Sequence, residues 1–163
     1  MKKLSTVMMM ALIGGMAFAS SLGIPWFVDN AAESQGAAWP PTQGTRTYIY
    51  LHNNTTDDIV CSIAFYSAEG QFVGPQDDLN TPYDDTTFVI PALSTLAYAP
   101  VADLGSTGGE SAAAAAIPNR PLPDGKKNGS AVITWAGGPN DIQGMLATAN
   151  TLLSYAHLLP PGN

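Results

Sequence analysis

Pairs of adjacent aspartates are the most concentrated chemical groups in this 163-residue sequence, at positions 57–58, 77–78 and 84–85. The last two pairs share the segment 76–85. Calcium prefers carboxylate and carbonyl oxygens, but the spacing here does not match an EF-hand loop, which alternates acidic positions and ends in a distal Glu. The segment predicts a solvated acidic loop, with a calcium site as the alternative. The candidate ligands of that site are Asp77, Asp78, Asn80, Asp84 and Asp85.

The sequence contains two histidines, His52 and His157, and each falls near the end of a predicted strand. A hydrolytic triad needs a histidine between a nucleophile and a carboxylate. The sequence has no Gly-x-Ser-x-Gly elbow and no other local nucleophile motif. We therefore expect a protein that is not an enzyme, with a secreted hydrolase using one of these histidines as the less favoured alternative.

Cys61 is the single cysteine, so it cannot form an intramolecular disulfide. Together with His52, His157 and Met145 it supplies the ligand types of a blue-copper site. Such a site needs a histidine and a methionine soon after the cysteine, whereas Ser-Ile-Ala-Phe-Tyr follows here. Cys61 falls on the apolar face of a predicted strand, which indicates a buried core thiol and no bound copper.

The elements that would position these groups follow an export signal. Lys2 and Lys3 precede an uncharged apolar run of about 16 residues, which ends in the small-x-small motif Ala17-Phe18-Ala19. A membrane-spanning helix needs roughly 20 apolar residues. Residues 1–19 are therefore predicted to be a signal helix that directs export to the periplasm or the extracellular space.

The charge of the exported chain limits its partners. The full sequence carries −7, and loss of Lys2 and Lys3 with the signal would leave 144 residues carrying −9. So acidic a protein repels nucleic-acid phosphates and anionic lipid headgroups. A protein or envelope component is the expected partner, with the oligomeric state left open.

Short segments of period-two alternation recur between turns rich in Gly, Pro, Asn and Asp. Strands are predicted at 22–28, 47–51, 59–66, 72–73, 86–90, 95–99, 129–135, 141–146 and 152–159. The second and third of these strands, joined by a polar turn, are predicted to form a hairpin. The pattern predicts an all-β fold, an antiparallel sandwich of immunoglobulin-like architecture with seven to nine short strands, with a closed barrel as the alternative.

The predicted organisation has three parts. Residues 1–19 are the signal, 20–44 form an N-terminal extension and connector, and 45–163 form the sandwich, with a long excursion at 101–128. The apolar stretch Leu22–Val28 could add a strand to the sheet of a neighbour. Pairing with its own sheet is favoured, because the strand count already suffices.

Three segments carry a resemblance to known proteins: TYIYLHNNTTDDIVCSIAFYSAEGQFVGP, TFVIPALSTLAY, and KKNGSAVITWAGGPNDIQG with the terminal SYAHLLPPG. They resemble short secreted bacterial β-sandwich proteins of the immunoglobulin-like kind, over about two-thirds of the exported chain. The resemblance implies export and a sandwich fold, and it supplies no catalytic residue.

The function expected from these observations is binding rather than catalysis. We expect a non-catalytic exported β-sandwich that binds a protein or ligand, or that forms part of an envelope or surface assembly. A calcium-dependent binding module that uses the loop 76–85 is the alternative.

Thermal melts in calcium and in chelator separate these two functions. An ion that binds the native state raises its melting temperature. For a solvated acidic loop we expect equal melting temperatures in the two solutions. A higher melting temperature in calcium, lost when Asp77 and Asp84 are changed to Asn, would instead establish the calcium module.

Overall fold

The computed structural model describes residues 19–30, 41–74, 87–100, 114, 117–118, 120 and 128–161. The predicted signal up to residue 18, the acidic segment 76–85 and most of the excursion 101–128 lie outside them. No helix in the described part is long and apolar enough to cross a membrane. The strands are β1 (Ala19–Val28), β2 (Thr45–Asn53), β3 (Ile59–Ser67), β4 (Phe72–Gly74), β5 (Thr87–Ile90), β6 (Thr95–Tyr98), β7 (Asn128–Ala136), β8 (Ile142–Asn150) and β9 (Ser154–Leu158).

These strands form two antiparallel sheets, as a sandwich requires. Sheet A has the order β1-β7-β3-β4, and β5 also pairs with β3. Sheet B has the order β6-β2-β8-β9. The all-β antiparallel prediction is therefore confirmed, and each predicted strand segment overlaps a strand of the structure.

The predicted hairpin of residues 47–51 and 59–66 is wrong. β2 pairs with β6 and β8 in sheet B, whereas β3 pairs with β4, β5 and β7 in sheet A. The turn 54–58 carries the chain from one sheet to the other, and it is bonded to other loops: the Asn54 N–H donates to the Asp141 carbonyl and the Leu93 N–H to the Thr55 carbonyl. Alternation shows which face of a strand is apolar, but not which sheet the strand joins.

The inner faces of the two sheets meet in one core. On β3, the buried positions Ile59, Cys61, Ile63 and Phe65 alternate with more exposed ones. Alternate residues of β2 and β8 face the same core from sheet B. The inner face of β8 includes Gly144, where a Cβ would lie 2.5 Å from Leu22 Cδ2 and 3.0 Å from Leu159 Cδ1. The glycine thus leaves room for side chains from β1 and from the residue after β9.

The strand β1 lies at the edge of sheet A and connects the two sheets at its end. It pairs with β7 from Ala19 to Val28, with a register shift between Ile24 and Phe27. Asp29 then forms a bridge with Arg46 at the start of β2 in sheet B. The prediction that Leu22–Val28 pairs within its own sheet is confirmed.

The side chain of Asn53 holds together the end of the sandwich where β2 crosses to β3. Asn53 is fully buried, and its amide nitrogen donates to the carbonyls of Asp57, Ile90 and Pro91 at 2.8–3.2 Å. Its amide oxygen accepts from the N–H and the hydroxyl of Thr55, each at 2.8 Å. One side chain therefore satisfies the backbone of two separate loops.

Replacing Asn53 by the isosteric Asp tests this role. Asn53→Asp removes the donors and turns a carboxylate toward three carbonyls, so we expect the free energy of unfolding to fall by about 3 kcal/mol. The matched control is Asn150→Asp. Asn150 uses its side-chain oxygen as the acceptor for the N–H groups of Leu152 and Leu153, and a carboxylate retains that role. Urea denaturation should show little change for the control, and equal losses for the two variants would contradict the assigned role.

Candidate binding surface

Three loops meet at one end of the sandwich, which we call the loop end: 54–58, 91–94 and 137–141. Asn54 joins the first loop to the third, because its side-chain amide donates to the Asn140 carbonyl at 2.9 Å. Asp58 joins the first to the second by accepting from the Ala92 N–H at 2.9 Å. These contacts position the loops through hydrogen bonds rather than through burial of apolar groups.

The third loop is held closed by its own residues. The carboxylate of Asp141 accepts from the Gly138 N–H at 2.6 Å, and the Trp135 indole N–H donates to the Gly138 carbonyl at 3.1 Å. Ser20 on β1 donates to the Gly137 carbonyl at 2.7 Å. Gly137 has φ +149° and a Cβ there would collide with Asp141, so this turn requires glycine. Hydrogen bonds therefore fix the conformation of the third loop at the loop end.

The C-terminal strand β9 runs toward the loop end as an edge strand of sheet B. It pairs with β8 from Ser154 to Leu158, and the Leu159 N–H continues the ladder to the Gly144 carbonyl at 2.9 Å. Leu159 is buried in the core and anchors the end of the strand. In the part of the chain that the structure describes, nothing pairs with the other side of β9.

All five side chains of β9 are exposed, and two exposed leucines precede them. The exposed fractions are 93% for Leu152, 67% for Leu153, 63% for Leu158 and 47% for Tyr155. No residue from 150 to 161 carries a carboxylate, an amine or a guanidinium. Contiguous exposed apolar groups on a soluble protein mark contact sites. We call residues 152–158, with the cleft described next, the C-terminal surface.

A cleft of about 540 Å³ lies where β9 reaches the loop end. It is lined by the polar residues Asn54, Asn140 and Gln143 and by the apolar residues Ile142, Leu158, Leu159, Pro160 and Pro161. Its volume is within the range of small-ligand pockets. Its lining can accept an apolar side chain and hydrogen-bond a peptide group, and it offers no charged residue.

The two histidines have different surroundings, and neither is bonded to an acid or a serine among the described residues. The His52 Nδ1 lies 2.9 Å from the Thr95 hydroxyl across the β2–β6 pair. The ring of His157 stacks on Tyr155, with centroids 6.5 Å apart and planes 7° apart. His157 thus belongs to the C-terminal surface, where its ring extends the Tyr155 face.

The thiol of Cys61 lies in the core, as predicted. Cys61 is almost fully buried, and its nearest acceptor is the Ile59 carbonyl at 3.9 Å. Burial raises the pKa of the thiol to about 12, because the thiolate would lose its hydration. The described residues contain no group of three or more His, Cys, Asp or Glu side chains that could hold a metal ion. The five candidate calcium ligands from Asp77 to Asp85 lie outside the described residues.

Arg46 and Arg120 are buried beside one carboxylate. Asp29 lies between Arg46 and Arg120, with N···O distances of 3.7 and 3.6 Å. Arg120 also donates to the Pro100 carbonyl at 2.6 Å and lies over the Phe27 ring, 5.1 Å from its centroid. This cluster joins β1 to sheet B and takes positive charge off the surface.

Sequence reasoning missed the C-terminal surface. The sequence predicts a strand at 152–159, and apolar residues on both faces of a strand are typical of burial. The structure places it at an edge, where no described strand pairs with its outer flank. Asn54 and Asn140 lie in segments typical of turns, and only the loop contacts show that they line a cleft.

Comparison with known proteins adds no assignment. No protein family, no curated protein and no solved structure matches this chain. The function is therefore inferred from the geometry of the C-terminal surface.

The buried thiol makes the stability depend on alkaline pH. Cys61 keeps its proton to about pH 12 in the folded state, whereas in the unfolded state it ionises near its ordinary pKa of 9.0. Its contribution is thus fully present below pH 9 and is lost as the pH rises toward 12, because unfolding then releases a proton. In urea denaturation from pH 8 to 11, we expect wild type to lose stability more steeply than Cys61→Ala. Parallel curves would contradict a buried protonated thiol.

Proposed function

We propose that this protein is a non-catalytic exported β-sandwich that acts by binding another protein chain through its C-terminal surface. The observation that carries the proposal is the exposure of the whole of β9 together with Leu152 and Leu153. Export is proposed from the N-terminal sequence, with its two lysines, apolar run and small-x-small motif. An envelope or surface assembly is the setting that this combination fits best.

The chemistry of the surface favours a protein partner. Exposed leucine and tyrosine side chains gain free energy when another apolar surface covers them, at about 25 cal/mol per Å². Tyrosine is also enriched at protein interfaces, because it has an apolar ring and a polar tip. The lack of charge on the surface means that a partner need not desolvate an ion to bind there.

The backbone of β9 provides a second means of recognition. An edge strand presents unpaired N–H and C=O groups, to which an extended segment of a partner can add as a further strand. The cleft continues the edge at the loop end, where Leu158 and the neighbouring prolines form its apolar wall. A partner strand on the edge could place one side chain in this cleft.

An immunoglobulin-like architecture is part of the proposal. Its support is that β2 pairs with β6 and β3 pairs with β7, as strands B and E and strands C and F do in that fold. Other strands depart from the pattern. β8 pairs with β2 rather than with β7, β1 pairs with β7 rather than with β2, and β5 pairs with β3 rather than with β6. The relationship proposed is therefore one of sandwich type, with β1, β5 and β8 rearranged.

Site-specific photocrosslinking in cells that export the protein tests the function. A photoreactive residue at Leu153 or Leu158 should form covalent protein adducts, because both side chains lie on the C-terminal surface. The matched controls are Leu93, in a loop at the other edge of sheet B, and Val60, on the outer face of sheet A, which are 62% and 60% exposed. We expect adducts from the first pair and at most background from the controls.

A substitution then shows whether the adducts depend on the surface. Leu158→Glu places a charge at the cleft without touching the buried core, so it should reduce adducts from the Leu153 probe about tenfold, the effect of a loss of 1.4 kcal/mol. Val60→Glu should leave them unchanged. Equal yields from all four probe positions, or adducts that survive Leu158→Glu, would overturn the proposal.

A further inference from the structure

The free flank of β9 presents a defined set of backbone groups. The bonds Leu159 N–H to Gly144 C=O and Asn150 N–H to Leu153 C=O identify Leu159 and Leu153 as hydrogen-bonded positions of the β8–β9 ladder. Such positions alternate along an antiparallel pair. The N–H and C=O groups of Ser154, Ala156 and Leu158 therefore point away from β8, toward the open edge.

We propose that the occupant of this edge is a second copy of the chain. Two β9 strands pair antiparallel about a two-fold axis at Ala156, and two copies of sheet B join into one eight-stranded sheet. The inference rests on the proposed function, since it names the partner that the C-terminal surface binds.

The positions of the outward groups are self-complementary. With Ala156 opposite Ala156 of the second copy, Ser154 lies opposite Leu158 and Leu158 opposite Ser154. Every outward-pointing residue then meets an outward-pointing residue, and each such pair exchanges two hydrogen bonds. Displacing one strand by one residue would set outward groups against residues that are already bonded to β8. An isologous dimer requires this kind of symmetry.

The side chains fit the same register. Ala156 places a methyl group at the axis, so the two strands approach without a bulky pair at the centre. Tyr155 lies opposite His157 of the second copy in a non-hydrogen-bonded pair, where side chains are closest. Because Tyr155 already stacks on His157 within one chain, pairing would align four rings on one face of the sheet.

The other described edges carry features that hinder pairing, and β9 does not. β1 contains Pro25 and a register shift, and β4, β5 and β6 are only three or four residues long. Proline, irregular register and short length are the common means of protecting an edge. β9 is regular and uncharged in a chain of net charge −7, and Pro160 and Pro161 limit the pairing to this segment.

Cysteine crosslinking tests the partner and the register together. In the proposed dimer the two Ala156 Cα atoms lie about 5.5 Å apart, within the span of a disulfide. The two Ser154 Cα atoms lie four residues apart along the strand, about 13 Å. With oxidised glutathione as the oxidant, Ala156→Cys should give a covalent dimer and Ser154→Cys should not. The native Cys61 is buried and does not compete.

Analytical ultracentrifugation over a concentration series measures the association itself. We expect a concentration-dependent dimer for the wild-type chain. Ala156→Pro removes an N–H that points to the open edge, so the β8–β9 ladder stays intact while the dimer weakens. Ala156→Lys sets two like charges opposite each other at the axis. Each should weaken the dimer at least about tenfold, whereas Thr134→Lys, on the exposed face of β7, should not.

Circular dichroism checks that each variant is folded. If Ala156→Pro unfolds, Ala156→Lys and Ala156→Cys decide whether the dimer forms through β9. A chain that is monomeric at every concentration overturns the inference. A dimer that is disrupted by Thr134→Lys but not by Ala156→Lys also overturns it. A chain that crosslinks more through Ser154→Cys than through Ala156→Cys overturns it as well. If the chain is monomeric but the Leu153 probe still labels a different protein, the proposed function stands and the homodimer fails. If neither occurs, both fail.

Discussion

The fold depends on how the chain satisfies its backbone where it crosses from one sheet to the other. After β2 the chain leaves sheet B, and the buried amide of Asn53 bonds the loops that follow β2 and β5. The contact with the Ile90 carbonyl, at 3.1 Å, is buried, and leaving a buried polar group without its partner costs about 1–3 kcal/mol. The crossing places β2 and β3 on opposite sides of the core, so the apolar face of each strand is covered by the other sheet.

A second crossing lies at the opposite end of β2, where β1 passes from sheet A to sheet B. Asp29 meets Arg46 and Arg120 there, and the Val28 N–H donates to the Thr47 hydroxyl at 3.0 Å. Arg120 is stabilised further by its hydrogen bond to the Pro100 carbonyl and by the Phe27 ring. Arg46 and Arg120 are buried in this cluster, so they contribute little positive charge to the surface. The C-terminal surface is neutral because residues 150–161 contain no charged side chain, so the proposed recognition depends on apolar area and backbone groups.

Edge position explains why a strand with so many apolar residues is exposed. β9 is attached by its ladder to β8 and by the burial of Leu159, and one flank has no neighbour among the described strands. An apolar, uncharged edge is a liability unless something covers it. The same geometry restricts the proposed pairing, because Ser154, Ala156 and Leu158 must each lie opposite an outward-pointing residue of the added strand, which excludes a shift by one residue.

The sequence by itself determined the class of fold, the strand positions and the apolar face of each strand, because alternation and turn residues act locally. It also determined that Cys61 is a core thiol, since the residue shares a face with isoleucines and phenylalanine. It could not determine that β2 and β3 belong to different sheets, nor that the last strand is open to solvent. Both depend on partners distant in sequence: Asn53 on the carbonyls near residue 90, and the cleft on the meeting of Asn54, Asn140 and Pro160. Tertiary structure alone decided these features, because a strand carries the same alternation whether its neighbour is the next segment of the chain, a distant one or a second molecule.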